Sequence, residues 1–263
     1  LNNFRKNIVL NTDNQFPVNF KKQMYYTKYL NNTNCYWPSN PKKIIEFIGG
    51  SYLATRPDIA YKRFIENLLK KNYAVHAYRY IPQFDHQQIS FKAWKDFKSC
   101  KKVLLKRIGK ELNTVRVGHS LGCKLHLISP DGGRNCEKFI SISFNNFSAN
   151  NSIPLLKNIS KKFEFRSEFS PSPNKTLEII NNTYIQNKNL LIKFDADKLD
   201  QTESLLSTLK HRENDKSKGL LMKGNHTLIA SAGLRGDLLG EWADDDLKRK
   251  TIEKISCLIN DFS

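Results

Sequence analysis

The segment Gly118-His119-Ser120-Leu121-Gly122 constrains this chain more than any other, because it joins a strand-like run to a helix-like one with nothing between them. Thr114–Val117 is short and β-branched, and Leu121–Ile128 has helical composition. As a bare pattern, a serine with glycines at −2 and +2 arises by chance in about one chain in ten of this length. A strand that turns into a helix on that serine is a far stricter condition. The turn is strained, the glycines remove side chains where the backbone is tightest, and the hydroxyl is held at the C-terminal edge of a sheet. Ser120 is therefore the candidate nucleophile, with an ordinary serine in a glycine turn as the competing reading.

The remaining pattern predicts the sheet that such a turn needs. Ile44–Ile48 is apolar and ends at Gly49-Gly50, which reads as a buried strand entering a tight turn. Tyr61, Phe64, Ile65, Leu68 and Leu69 recur at helical spacing behind Pro57, with Thr55 and Asp58 as a capping pair. Tyr73–Ile81 reads as the next strand. Ala93, Phe97, Cys100, Leu104 and Ile108 share one face of a second helix ending at Gly109. Strands are expected at Phe139–Phe144, Leu190–Phe194 and Leu220–Met222. A last helix starts near Asp244-Asp245-Asp246, where acidic residues suit the positive helix end, and buries Leu247, Ile255, Leu258, Ile259 and Phe262. Strands alternating with helices imply a mainly parallel sheet covered on both faces. Joined to the elbow, this predicts an α/β-hydrolase fold in one domain over 1–263. Residues 1–43 are expected as an arm or one or two edge strands, and 145–189, too long for a plain connection, as an inserted lid.

A serine at its ordinary pKa needs a base, and the base an orienting acid. In this fold they follow in the order Ser, Asp or Glu, His, on loops after later strands. Asp195, Asp197 and Asp200 follow Leu190–Phe194. Asp197, three residues past the strand, is the choice; Asp200 is the runner-up, and Asp195 and Asp200 could instead cap the helix Thr202–Leu209. His226 follows Leu220–Met222 and is the base that position favours among the six histidines. His119 lies in the elbow, where packing or hydrogen bonding is its usual use. His126 is expected to face out of the post-elbow helix, His76 to lie inside a strand and His211 on a charged surface. His86, in Phe84-Asp85-His86-Gln87, either orders its loop or reaches the site. Donors for a developing oxyanion are the backbone N–H of Leu121 and one from Gly50 or Ser51. The Gly49-Gly50 pair could equally be only a tight turn.

Composition narrows the classes. No apolar run approaches the roughly 20 residues that cross a bilayer, and the opening segment lacks the apolar stretch of a signal peptide. Five dispersed cysteines form no CxxC pair, which fits free thiols in a reducing compartment and gives no zinc or thioredoxin motif. No metal or cofactor is assigned. The net charge of +18 is spread over scattered lysines, without a zinc-finger, RNP or helix-turn-helix pattern. Nucleic acid is thus disfavoured as a partner, and weak peripheral attraction to an anionic membrane is favoured over it.

Several long segments, FIGGSYLATRPDIAY, FDHQQI, GHSLGCKLHL, ISFNNFSA, FSPSPNKTLEII and NLLIKFDADKLDQTESL, resemble domain of unknown function 1350, a family of cyanobacteria and chloroplasts. The resemblance spans roughly Cys35 to Ile229. It implies an α/β-hydrolase-like protein connected with photosynthesis, in a cyanobacterial cytoplasm or plastid stroma, and implies no substrate. Ser120 with its glycines, Asp197 and Asp200 in DADKLDQT, His226 in KGNH and the Phe169–Pro173 run FSPSP are all present. Ile48 replaces the His common at the oxyanion loop of broader hydrolase families. The activity expected is cleavage of an ester or thioester, and a lid carrying Phe163, Phe165 and Phe169 would suit an acyl or prenyl chain. The alternative is a hydrolase fold kept as a non-catalytic binding or assembly factor at a photosynthetic membrane.

Overall fold

A computed structural model describes residues 17–20, 23–148, 168–230 and 245–262. Their centre is a nine-stranded sheet in the order β1-β2-β3-β5-β4-β6-β7-β8-β9. Its strands are β1 (Pro17–Phe20), β2 (Gln23–Leu30), β3 (Thr33–Pro38), β4 (Lys43–Ile48), β5 (Tyr73–Tyr78), β6 (Thr114–His119), β7 (Lys138–Ile142), β8 (Asn189–Phe194) and β9 (Lys218–Met222). From β4 onward every pairing is parallel, while β1, β2 and β3 join antiparallel at one end, β3 on β5. Parallel strands all deliver their C-terminal loops to one edge, so the loops after β4, β6, β8 and β9 meet there.

The period of two decides which side chains meet which helices. Ile45 and Phe47 of β4, Val115 and Val117 of β6, and Leu190 and Ile192 of β8 point to one face. That face is covered by α2 (Lys62–Lys70) and the C-terminal α7 (Asp246–Asp261) through Phe64, Leu68, Ile252, Ile255 and Ile259. The alternate residues lie under α3 (His86–Ile108), α4 (Leu121–Leu127), α5 (Pro173–Thr183) and α6 (Thr202–Lys210). On that second face Arg116 of β6 sits between two carboxylates, Glu46 on β4 at 3.0 Å and Asp131 after α4 at 2.8 Å, all buried. This ion cluster pins the loop behind α4 to the central strands.

Several expectations are corrected. Three strands rather than one or two lie at this end of the sheet, and β3 is interior to it, paired with β2 and β5, with Cys35 and Trp37 in one buried cluster with Cys100 and Leu104 of α3. Thr55 and Asp58 do not cap: Thr55 Oγ1 donates to the Tyr52 carbonyl in a 3₁₀ turn (Ser51–Thr55), and Asp58 pairs with Arg56. The helix behind them starts as a short α1 (Pro57–Ala60) that breaks at Tyr61 before α2. The strand expected to Ile81 ends at Tyr78, and Ile81 is exposed. Leu247 is exposed because the buried stripe of α7 begins a turn later, at Thr251 and Ile252. Asp245 caps that helix through Lys248 N; Asp244 lies outside the described residues. Within 145–189, α5 packs on the sheet through Ile180 and Tyr184, and positions 149–167 of the expected lid lie outside the described residues. Phe163 and Phe165, expected in a lid, lie outside the described residues.

Candidate active site

Ser120 caps the N-terminus of α4 directly after β6, with φ 54° and ψ −122°. A serine at positive φ is strained, and the strain is held by its surroundings. Its N–H donates to the Ile142 carbonyl of the neighbouring strand at 2.9 Å. Gly122 permits the turn, since a Cβ there would lie 2.0 Å from the Ile48 carbonyl oxygen. Gly50 has the same reason for being glycine: a Cβ would come within 2.9 Å of Ser120 Cβ.

The loops after β8 and β9 bring Asp197 and His226 to this serine. His226 Nε2 lies 2.9 Å from Ser120 Oγ, and His226 Nδ1 lies 2.8 Å from Asp197 Oδ2. Because a carboxylate only accepts, Nδ1 carries the proton and Nε2 is left to accept from the hydroxyl. The Asp197 side chain has no exposed surface and also accepts from Leu199 N at 2.9 Å, which fixes its rotamer. The other two aspartates are used elsewhere. Asp200 takes the N–H and hydroxyl of Thr202 at the start of α6, and Asp195 accepts from Gly224 N, tying the two loops together.

His119 and Tyr61 form a second network that the sequence did not reveal. His119 Nε2 is 2.7 Å from the His226 carbonyl oxygen, so Nε2 is the protonated nitrogen. Nδ1 must then accept, and the Tyr61 hydroxyl donates to it at 2.8 Å. Tyr61 Oη in turn accepts from Gly50 N at 2.8 Å. Burial first, then the neighbouring His226, pulls His119 down to about 3, so its ring is neutral. Burial keeps the Tyr61 phenol well above its usual range and hence protonated. The chain Gly50–Tyr61–His119–His226 thus links the loop after β4, the start of α2, the elbow and the loop after β9.

The network also engages one of the two loop residues expected to offer an oxyanion donor: Gly50 commits its N–H to Tyr61. Ser51 and Leu121 each open a helical turn, where the first N–H groups have no intrahelical acceptor. Ile48, in place of a histidine, leaves the loop's fixing to two tyrosines, Tyr61 and Tyr80, whose hydroxyl donates to the Gly49 carbonyl at 3.0 Å.

The other histidines sort by burial. His126 is corrected: every residue of α4 is buried, and its ring lies between Phe97 and Phe139 with Nε2 3.2 Å from the Val117 carbonyl. His76, inside β5, accepts from Trp37 Nε1 at 3.0 Å, and His211 is exposed. His86 opens α3 behind its cap Asp85 and stacks on Phe169 with ring centroids 4.3 Å apart. It lines a cavity together with Ser51 and Leu121. Among the described residues no group of three His, Cys, Asp or Glu could hold a metal, and no helix is long and apolar enough to cross a membrane.

A mostly parallel sheet with helices on both faces, a serine at a strand-to-helix turn after a central strand, and acid and histidine loops at the same edge define the α/β-hydrolase fold. Solved structures share it. The chain superposes on carboxyl esterase 2 from the fungus Tuber melanosporum with a TM-score of 0.59, 15% identity and coverage of 94% of this chain and 89% of that one. A Pyrococcus furiosus esterase, Pf2001, gives 0.57 and 13% over 92% and 91%. A Paleococcus ferrophilus monoacylglycerol lipase gives 0.55 and 12% over 90% and 100%. At such identities the likeness concerns the fold. No curated protein matches the chain. Its family is nonetheless defined: residues 28–251 match DUF1350, described as a protein of unknown function, and the chain belongs to that family.

Proposed function

We propose that this protein is a serine hydrolase of an ester or thioester. The observation that carries the reading is the continuous path from Asp197 through His226 to Ser120, with both contacts at 2.8–2.9 Å. His226 Nε2 takes the hydroxyl proton as Ser120 Oγ attacks the carbonyl carbon, and Asp197 stabilises the imidazolium that forms. The N–H groups of Leu121 and Ser51 receive the oxyanion. Collapse expels the alcohol or thiol, protonated by His226, and leaves an acyl-Ser120. Water, activated by the same histidine, then releases the acid.

A non-catalytic binding factor is the second reading. It requires no alignment of histidine with serine, so the observed contacts favour hydrolysis. Of the lid aromatics expected to suit a lipophilic chain, only Phe169 is among the described residues, and it lies beside Ser51 and Leu121. A cyanobacterial or plastid setting rests on the family resemblance alone, and the net charge of +18 supports peripheral attraction to an anionic membrane. The test is labelling by a fluorophosphonate, with wild type beside Ser120→Ala and His226→Ala, followed by a chain-length series of esters. An adduct on wild type that both substitutions abolish is expected. No adduct, with a stable complex that survives Ser120→Ala, would establish the binding reading.

A further inference from the structure

The cavity beside the serine contains a charge that the hydrolytic machinery does not use. Ser51, Leu121, His86, Lys124, Asn146 and Phe169 line a space of about 40 Å³. That is room for one small polar group, since a single water needs about 10–15 Å³. Lys124 stands one helical turn after Ser120, on the same side of α4. Its side chain is fully buried, and among the described residues its one hydrogen bond is to the Pro171 carbonyl at 2.9 Å. An ammonium has three donors, and one neutral carbonyl offsets little of what a charge loses on leaving water.

No carboxylate among the described residues forms an ion pair with Lys124. Burial draws it down to about 8, while Glu168, exposed and directly before Phe169, acts in the opposite direction. The cavity's polarity has a second sign. Buried His86 Nδ1, on another lining residue, has no hydrogen-bond partner, and a neutral imidazole can carry its proton on that nitrogen and donate. Buried polar atoms are rarely left so. Phe169 closes the side toward Lys124, with its ring centre 6.0 Å from Nζ.

We propose that this cavity is a subsite for a carboxylate on the substrate, a short reach from the scissile carbonyl, with Lys124 as its counter-ion. One ammonium balances one negative charge, and the volume suits a planar carboxylate better than a dianionic phosphate. The natural substrate is thus a monoester or monothioester of a dicarboxylic acid, or an ester bearing a nearby carboxylate. This inference rests on the serine-hydrolase reading for its position and deepens that reading.

The test compares two 4-nitrophenyl esters of matched length, the hexanoate and the hydrogen adipate, after subtraction of uncatalysed hydrolysis. Wild type is expected to favour the adipate in kcat/KM by about tenfold or more, the effect of one charge-assisted hydrogen bond. In Lys124→Met the ratio should fall to about one or below, because Met keeps the volume without the charge. Lys124→Gln, which retains a donor for the Pro171 carbonyl, serves where Met does not fold. A wild-type ratio near one overturns the proposal, as does a preference that persists without the ammonium. Equal losses on both esters also overturn it, since Lys124 would then serve the fold or the oxyanion. If neither ester is cleaved and Ser120 is not labelled, the hydrolase reading fails by itself. Calorimetry with the matched anilides, adipic monoanilide against hexananilide, then reads the subsite. Tighter binding of the carboxylate in wild type, lost in Lys124→Met, supports it, and equal binding refutes it.

Discussion

Replacing Tyr61 by Phe removes a single oxygen at the point where three loops of the site are joined. The ring stays packed against Phe47, whose centroid is 4.8 Å away, so little apolar burial is lost. Two buried groups lose their partner, the Gly50 N–H and His119 Nδ1. Each unsatisfied buried group costs about 1–3 kcal/mol, so a loss of about 2–4 kcal/mol is expected for the pair. For a chain of this size that lowers the melting temperature by about 5–15 °C. The Gly50-Ser51 turn also loses its tether. A fully removed oxyanion donor costs about 10²–10³ in kcat, and a loosened one should cost about tenfold, with KM little changed. Calorimetric melting and steady-state hydrolysis of a soluble 4-nitrophenyl ester measure both effects. A variant that melts within about 1 °C of wild type and keeps its kcat would refute the assigned clamp.

Three further outcomes follow from the same geometry. Asp197→Asn should reduce kcat by about 10⁴ through the wrong histidine tautomer, whereas Asp200→Ala, which removes the acceptor of the Thr202 N–H, should lower stability by about 0.5–2 kcal/mol and retain most activity; parallel kinetics and melts separate them. Gly122→Ala places a methyl 2.0 Å from the Ile48 carbonyl, so soluble expression should collapse, and a well-folded, active protein would contradict the elbow geometry. Burial raises Asp131, but the hydrogen bonds and charge of Arg116 outweigh it and hold the carboxyl well below its usual range. A depressed folded pKa means the unfolded chain binds the proton more readily. The resulting stability is present above about pH 4 and lost as pH falls below it. Asp131→Asn should therefore destabilise strongly at pH 7, with the gap to wild type narrowing in melts below about pH 4.

The architecture was legible because its signals are local. A β-branched run, a glycine turn and an amphipathic helix each follow from neighbours a few residues apart, and parallel strands send successive loops to one edge. Ser120, the loop of three aspartates and the loop of His226 could be placed from that order. Burial of α4 was not legible: Leu121–Leu127 contains Lys124 and His126, which local pattern assigns to solvent, yet α3 and the FSPSP segment cover them. The short α1 and the missing Thr55–Asp58 cap were missed because Arg56 competes for the carboxylate.

The sequence by itself determined that the chain makes a strained strand–serine–helix turn in a mainly parallel sheet, with an acidic loop and a histidine loop following in order. Tertiary structure alone decided which partners meet. Asp197, the choice among three aspartates, takes His226 while Asp195 and Asp200 turn to other partners, Tyr61 rather than a histidine holds the β4 turn, and Gly50 gives its N–H to Tyr61. These contacts join residues 29 apart between Asp197 and His226, and 11, 58 and 107 apart along the network from Gly50 through Tyr61 and His119 to His226. Hydrogen bonds are directional over about 3 Å, so they are set by the final register of strands and loops, which no local spacing encodes.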